Sequence, residues 1–134
     1  MSGDAMAPRA ASALAPGEGP VHNLGVDFVL KLSELTSGAG AAVAEYVTRK
    51  GEEPHDHVHP HEDEMFYVLE GRLAFRCGGV SYEVGQGGFM FLPRGIEHGY
   101  DILSDGDVRL LVITAPPRAE AGGWQGFLGD VERR

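Results

Sequence analysis

The stretch GEEPHDHVHPHEDEMFYVLEG, residues 51–71, decides how the rest of the chain is interpreted. From position 55 every second residue is a histidine, which gives His55, His57, His59 and His61. Residues two apart on a strand point the same way, with Cα atoms about 7 Å apart, so His57 and His59 can direct two imidazoles towards one point. The same spacing also fits a solvated polar loop, and the stretch alone leaves both interpretations open.

Turn signals divide the chain after residue 26 into short apolar runs. The runs are FVLKL, AAVAEYVTR, MFYVLE, LAFRC, VSYEV, FMFL, HGYDIL and VRLLVIT. Between LAFRC and VSYEV stands Gly78-Gly79, a strong signal for a two-residue hairpin. Many short strands separated by turns predict an all-β sandwich or barrel, here over about residues 24–116.

The two ends of the chain differ from this pattern. Residues 1–20 are rich in Ala, Pro, Gly and Ser, which predicts a flexible tail, whereas residues 21–134 are expected to form one domain. Near the C-terminus an apolar residue recurs with the spacing i, i+3, i+4, i+7, at Trp124, Phe127, Leu128 and Val131. This spacing predicts a short helix over about residues 118–132, packed on the barrel or on a second subunit.

Composition excludes several classes of protein. The formal charge is −9 and the basic residues are scattered, so no nucleic-acid partner is expected. No segment approaches the roughly 18 consecutive apolar residues that a membrane span requires, and no signal peptide is recognisable. The single cysteine, Cys77, rules out an internal disulfide and suits a reducing compartment. A cytoplasmic location is therefore expected.

A metal site is favoured by residues on both sides of the apolar core. His59 and Glu64 are five apart, which would put them on opposite faces of one strand, but the polar residues PHED between them predict a reversing loop. Glu64 then opens a strand that enters the core, where a carboxylate must be paired or bind a metal. His98 follows the turn signal PRG and opens another strand. With His57 these side chains form a three-histidine, one-carboxylate set that suits a divalent transition-metal ion.

The same residues carry a resemblance to the cupin family. The family's first motif, G(x)5HxH(x)4E(x)6G, matches without a gap Gly51, His57, His59, Glu64 and Gly71. Its second motif, G(x)5PxG(x)2H(x)3N, matches Gly87, Pro93, Gly95 and His98, with Ile102 in place of the final Asn. The resemblance covers roughly residues 40–115, and the chain looks most like small single-domain cupins similar to quercetin dioxygenase.

The resemblance implies a fold, a cofactor and an assembly. It implies an antiparallel double-sheet jelly-roll barrel with one divalent transition-metal ion per chain, which can be Fe, Mn, Ni, Cu or Zn. The family's four ligand positions fall on His57, His59, Glu64 and His98, whereas His55 and His61 match none. It also implies a homodimer, an expectation that the exposed edges of the sheets support.

Alternation along the strands predicts a substrate pocket beside the metal. Counting in twos from Glu64 and from His98 turns Phe66 and Val68, and Tyr100 and Ile102, towards the interior. Together with Phe75, Met90 or Phe91 they would form a mostly apolar, aromatic pocket for a small-molecule substrate. These side chains can equally just fill the barrel, because small barrels are often packed by their own side chains.

Three classes of function remain open. Four protein ligands on an ion that accepts six leave open positions, as in catalytic metal sites. The resemblance and the apolar pocket together favour a dioxygenase-type oxidoreductase acting on a small aromatic or enolic substrate, with Glu64 as both ligand and base or as ligand alone. A non-redox isomerase, cyclase or decarboxylase, and a non-catalytic metal- or ligand-binding protein, are the alternatives, because fold and ligand set do not choose the reaction.

Overall fold

The computed structural model describes residues 10–33 and 40–115, and these residues contain nine strands. The N-terminal strands are β1 (Val21–Asn23), β2 (Asp27–Leu32) and β3 (Ala42–Thr48). The strands of the central part are β4 (Asp63–Glu70), β5 (Arg72–Cys77), β6 (Val80–Gly85) and β7 (Phe89–Leu92). The last two are β8 (His98–Ile102) and β9 (Val108–Ala115).

The strands form two antiparallel sheets. The larger sheet has the order β1-β2-β3-β9-β4-β7, and the smaller one has the order β6-β5-β8. Neighbours in each sheet are often distant in sequence; β9, for example, lies between β3 and β4. The predicted all-β double-sheet jelly roll is confirmed, in the form of a two-sheet sandwich that does not close into one continuous barrel over the described ranges.

Period-two alternation places the core between the sheets. On β3 and β9 every second side chain is buried, and the same holds for the first six residues of β4. The smaller sheet faces them with the buried side chains of Leu73, Phe75, Tyr100 and Ile102. Full burial of such a side chain contributes about 1.5–3 kcal/mol, so this shared interior holds the two sheets together.

Eight of the nine strands coincide with the apolar runs in the sequence. The Gly78-Gly79 hairpin is also present, with Cys77 paired to Val80 and both glycines at positive φ. The sequence did not reveal β1, because three residues are too few for an alternation pattern and its pairing partner β2 decides its conformation. Residues 10–20 contain no strand.

Several expectations concern residues outside the described ranges. The predicted helix over residues 118–132 lies there, as do the first nine residues of the predicted tail. The division into a tail of residues 1–20 and a domain of residues 21–134 stays a prediction, and so does the homodimer. The described residues contain no helix with the length and hydrophobicity that a membrane crossing requires.

Gly71 links the two sheets where β4 ends and β5 begins. Its φ is +99°, and a Cβ at this position would lie 2.7 Å from Cγ2 of Val108 and 3.1 Å from Oγ of Ser104. Gly51, at the other end of the decisive stretch, has nearly the same φ, +96°, but has open space around it. The crossing between the sheets therefore needs glycine for two reasons, backbone conformation and space.

We expect Gly71→Ala to destabilise the protein more than Gly51→Ala. Strain at positive φ costs about 1–3 kcal/mol in both variants, and crowding against Val108 adds about 1–3 kcal/mol in Gly71→Ala only. Urea denaturation followed by circular dichroism measures both free energies of unfolding. Equal losses in the two variants would show that the space at Gly71 is not limiting.

Candidate metal centre

The structure brings together the four side chains that the motifs single out. His57, His59, Glu64 and His98 are all buried, each at most 5% exposed. One nitrogen or carboxylate oxygen from each lies within 4.8 Å of the corresponding atom of every other. Three imidazoles and one carboxylate therefore converge in the interior of the sandwich.

Backbone hydrogen bonds hold the two motif segments against each other. The N–H of His57 donates to the carbonyl oxygen of His98 and the N–H of His98 donates to that of His57, both at 2.9 Å. The N–H of Gly95 donates to the carbonyl oxygen of His59, also at 2.9 Å. The turn before β8 is thus fixed to the loop before β4, and the histidines from both are fixed with it.

Polar contacts behind His57 orient its ring. Nδ1 of His57 lies 2.6 Å from the carbonyl oxygen of His55. A carbonyl oxygen can only accept, so Nδ1 carries the proton and Nε2 keeps its lone pair for a ligand. The neighbouring Asp56 is held by Arg76 at 2.7 Å, and a Cβ at Gly99 would collide with its carboxylate. Glycine at position 99 therefore leaves room for the carboxylate of Asp56.

The electrostatics of the cluster keep Glu64 ionised. Its Oε1 lies 3.0 Å from Nε2 of His98 and 3.7 Å from Nε2 of His59. Burial raises the pKa of Glu64, but the contact with His98 and the charges of the nearby imidazoles outweigh it, so the pKa lies below its usual value. The site thus presents a carboxylate to whatever occupies it.

These residues fit a divalent transition-metal ion. Ligand atoms about 2.1 Å from one ion lie at most about 4.2 Å apart, and the four candidate atoms lie within 4.8 Å of one another, so they are close enough to draw in around one ion. Nδ1 of His98 makes no hydrogen bond to any described residue, and Nε2 contacts only Glu64, which is itself a candidate ligand. Leaving such buried groups unsatisfied costs free energy, which a bound ion removes. Imidazole with carboxylate suits Fe, Mn, Ni, Cu or Zn, and the set does not select among them.

A cavity of about 230 Å³ adjoins the cluster. Three of the four candidate ligands, His57, Glu64 and His98, form part of its wall. Its remaining lining is mainly apolar or aromatic and contains no Arg or Lys: Leu24, Val26, Phe28, Tyr46, Thr48, Glu52, Pro54, His55, Phe66, Gly99, Tyr100 and Val112. A small apolar compound in this cavity would reach the candidate ligands directly.

Some of the predicted pocket residues line the cavity, others are buried elsewhere in the core, and one, Phe91, is neither. Phe66 and Tyr100 line the cavity. Phe75, Met90 and Ile102 are buried in the core without lining it, which matches the alternative that such side chains fill the interior.

Placing Phe91 in the pocket was wrong. Its side chain is 49% exposed, because on β7 it alternates with the buried Met90 and Leu92. Of the other two histidines in the stretch, His55 lines the cavity without joining the cluster, and His61 is exposed.

Sequence reasoning missed the part of the cavity contributed by the N-terminal strands. Phe28 from β2 and Tyr46 and Thr48 from β3 lie there, outside both motifs. The available signal was the alternation of Ala42, Ala44, Tyr46 and Thr48, which marks one face of β3. Tyr46 is the one large side chain on that face, so it is the residue that reaches farthest across the interior.

Comparisons with known proteins agree with this fold. The sequence matches the Cupin domain family over residues 44–114. It is 28% identical over 88 residues to the uncharacterized protein SCO3923 of Streptomyces coelicolor, across 66% of this chain and 78% of that protein. It is 26% identical over 106 residues to the tetracenomycin polyketide synthase protein TcmJ of Streptomyces glaucescens, across 77% of this chain and 71% of that one.

Solved structures share the fold. KdgF from a Halomonas species is similar with a TM-score of 0.69 at 17% identity, covering 83% of this chain and 98% of that one. At this identity the similarity concerns the arrangement of the strands and not the chemistry.

We expect His57→Ala or His98→Ala to abolish stoichiometric binding of a divalent transition metal, because each removes a buried ligand. His61→Ala is the matched control from the same stretch and should keep nearly all of the metal. The measurement is metal content by plasma mass spectrometry after loading and desalting, with circular dichroism to verify folding. If His61→Ala lost as much metal as His98→Ala, the assignment of the ligands would be wrong.

Proposed function

The chain belongs to the cupin family, and from that premise we propose that it is a metal-dependent enzyme that oxidises a small aromatic or enolic compound in a dioxygenase-type reaction. The observation that carries the proposal is the position of the cavity, which is lined by aromatic side chains and walled on one side by three candidate ligands. Its volume of about 230 Å³ is below the roughly 300–1,000 Å³ of pockets for drug-sized ligands, so the substrate is small.

The ion contributes what the side chains cannot. When bound, a divalent transition metal acts as a Lewis acid that lowers the pKa of an oxygen donor, and a redox-active one also exchanges electrons with dioxygen. The protein buries the four candidate ligand side chains, and the cavity adjoins three of them. A metal site with one side open to a cavity is typical of a catalytic site, whereas a structural site is closed by its ligands.

The cavity walls select and position the substrate. Phe28, Phe66 and Val112 present apolar surface, which favours a flat, weakly polar molecule and excludes water. Glu64 is the carboxylate nearest to a substrate oxygen at the centre, and we assign it the second role of accepting that oxygen's proton. Its lowered pKa makes it a weak base, so it can take a proton only from an oxygen that has itself become acidic.

A second candidate function is a non-redox cyclisation or isomerisation. The similarity to TcmJ, whose name places it with a polyketide synthase, favours it. Polyketides carry carbonyl groups at alternate carbons, and such compounds form enols, whose oxygens are suited to the same candidate metal centre. Both candidates therefore use the same substrate chemistry and differ in whether dioxygen is consumed.

One experiment separates these functions. The protein is loaded in turn with Fe, Mn, Ni, Cu or Zn and incubated with phenols, catechols and 1,3-diketones in air and under nitrogen, with oxygen uptake and product mass recorded. We expect turnover with a redox-active metal, oxygen uptake and a product that has gained two oxygen atoms. An isomeric or dehydrated product formed equally under nitrogen would support the second candidate. Binding without turnover under all conditions would make the protein a non-catalytic binder.

We expect Glu64→Gln to retain metal but to lose most of its turnover, about 100-fold or more for loss of a general base. The amide still offers an oxygen ligand but cannot accept a proton at neutral pH. Glu70→Gln at the exposed end of the same strand is the control and should behave like wild type. If Glu64→Gln retained both metal and turnover, Glu64 would be a ligand only.

A further inference from the structure

Two tyrosine hydroxyls that do not belong to the ligand cluster meet at the wall of the cavity. Tyr46 projects from β3 of the larger sheet and Tyr100 from β8 of the smaller one, and their hydroxyl oxygens are 3.0 Å apart. Each residue is only 5% exposed, and both line the cavity that His57, Glu64 and His98 also line. The pair therefore joins the two sheets at the level of the candidate metal centre.

A count of protons leaves one donor available. Two hydroxyls carry two protons, and the bond between them uses one, whichever oxygen donates. Neither hydroxyl makes another hydrogen bond to a described residue. A buried donor without an acceptor costs free energy, so the spare proton needs an acceptor, which is water in the free cavity and can be a ligand oxygen in a complex.

Two other polar groups of the cavity wall are already engaged. Thr48 donates its hydroxyl proton to Glu52 at 3.3 Å, and Nδ1 of His57 is held by the carbonyl oxygen of His55. The lining contains no Arg or Lys to bind an anion. The tyrosine pair is thus a neutral donor available to a substrate oxygen that is not bound at the ligand cluster.

The pair is also rigid and stays protonated. The ring of Tyr46 packs on Phe28 with centroids 4.5 Å apart, and that of Tyr100 packs on Phe75 at 5.6 Å and on Phe66 at 6.0 Å. Both hydroxyls stay neutral near pH 7, because a tyrosine ionises only at about pH 10. A fixed, neutral donor needs no reorganisation when a ligand oxygen arrives.

We propose that the Tyr46–Tyr100 pair is a second recognition point, which donates one hydrogen bond to a carbonyl or enolate oxygen of a substrate whose other oxygen lies at the ligand cluster. This inference rests on the proposed function and narrows its substrate class to compounds with two separated oxygens, such as 1,3-diketones and dihydroxylated aromatics. Compounds with one oxygen would meet only the cluster and leave the spare proton unsatisfied.

Two probes that differ by one carbonyl oxygen test the inference in the metal-loaded protein. Benzoylacetone has two such oxygens and butyrophenone has one on a nearly identical skeleton. Their dissociation constants are measured by calorimetry for wild type, for Tyr46→Phe, Tyr100→Phe and the double variant, and for Tyr82→Phe, an exposed tyrosine on β6, as control. Phenylalanine keeps the ring packing, and the single variants keep the test available should the double variant not fold.

We expect the double variant to bind benzoylacetone about tenfold more weakly or worse, with no change for butyrophenone and none in Tyr82→Phe. Equal losses of affinity for both probes would mean that the tyrosines contribute only packing, and would overturn the inference. So would an unchanged affinity for benzoylacetone, which would place both of its oxygens at the metal. If metal-free wild type bound benzoylacetone as well as the loaded protein does, the proposed metal-centred function itself would fail.

Discussion

A pair of backbone hydrogen bonds between His57 and His98 is the contact on which the candidate site depends. It joins a loop that has no strand of its own to the first residue of β8, across 41 positions of sequence. Because the backbones are locked at this bridge, both imidazoles start from fixed points and turn inward together. The hydrogen bond from the N–H of Gly95 to the carbonyl oxygen of His59 joins the same two segments at a second point. The candidate ligand site is therefore built without a helix or a disulfide among the described residues.

Packing in the rest of the sandwich offsets the free-energy cost of burying the candidate ligands. Burying three imidazoles and a carboxylate is unfavourable until they are coordinated or hydrogen-bonded. The apolar interior below them, with Leu73, Phe75, Leu110 and Val112 almost fully buried, offsets that cost. The same packing accounts for the position of the cavity: Phe75 and Ile102 fill the interior, so the cavity beside the ligands lies between them, β2 and β3.

Membership of the family fixes the scaffold and the type of site, whereas the reaction depends on what surrounds the ligands. Here the surroundings are mainly apolar and aromatic side chains with the hydroxyls of two tyrosines, and Arg and Lys are absent from the cavity lining. Such a wall favours compounds whose oxygens become anionic only on binding over compounds that already carry charge, such as phosphates. The proposed preference for phenolic or enolic substrates follows from this chemistry more than from any one relative.

The sequence by itself determined eight strands, the Gly78-Gly79 hairpin and the identity of the four candidate ligands, because turn residues, alternation and motif spacing are local properties of a chain. It did not determine β1, whose three residues form a strand only because β2 pairs with them. Nor did it separate Met90 from Phe91: in FMFL both faces are apolar, and only the register of β7 against β4, with Phe66 opposite Met90, puts Met90 inside. The sequence also did not place Tyr46 and Phe28 in the cavity lining. Only the packing of one sheet on the other decides which residues from outside the motifs face the candidate ligands. Local pattern thus specifies which residues share a face, and tertiary structure decides which face is buried and what lies opposite it.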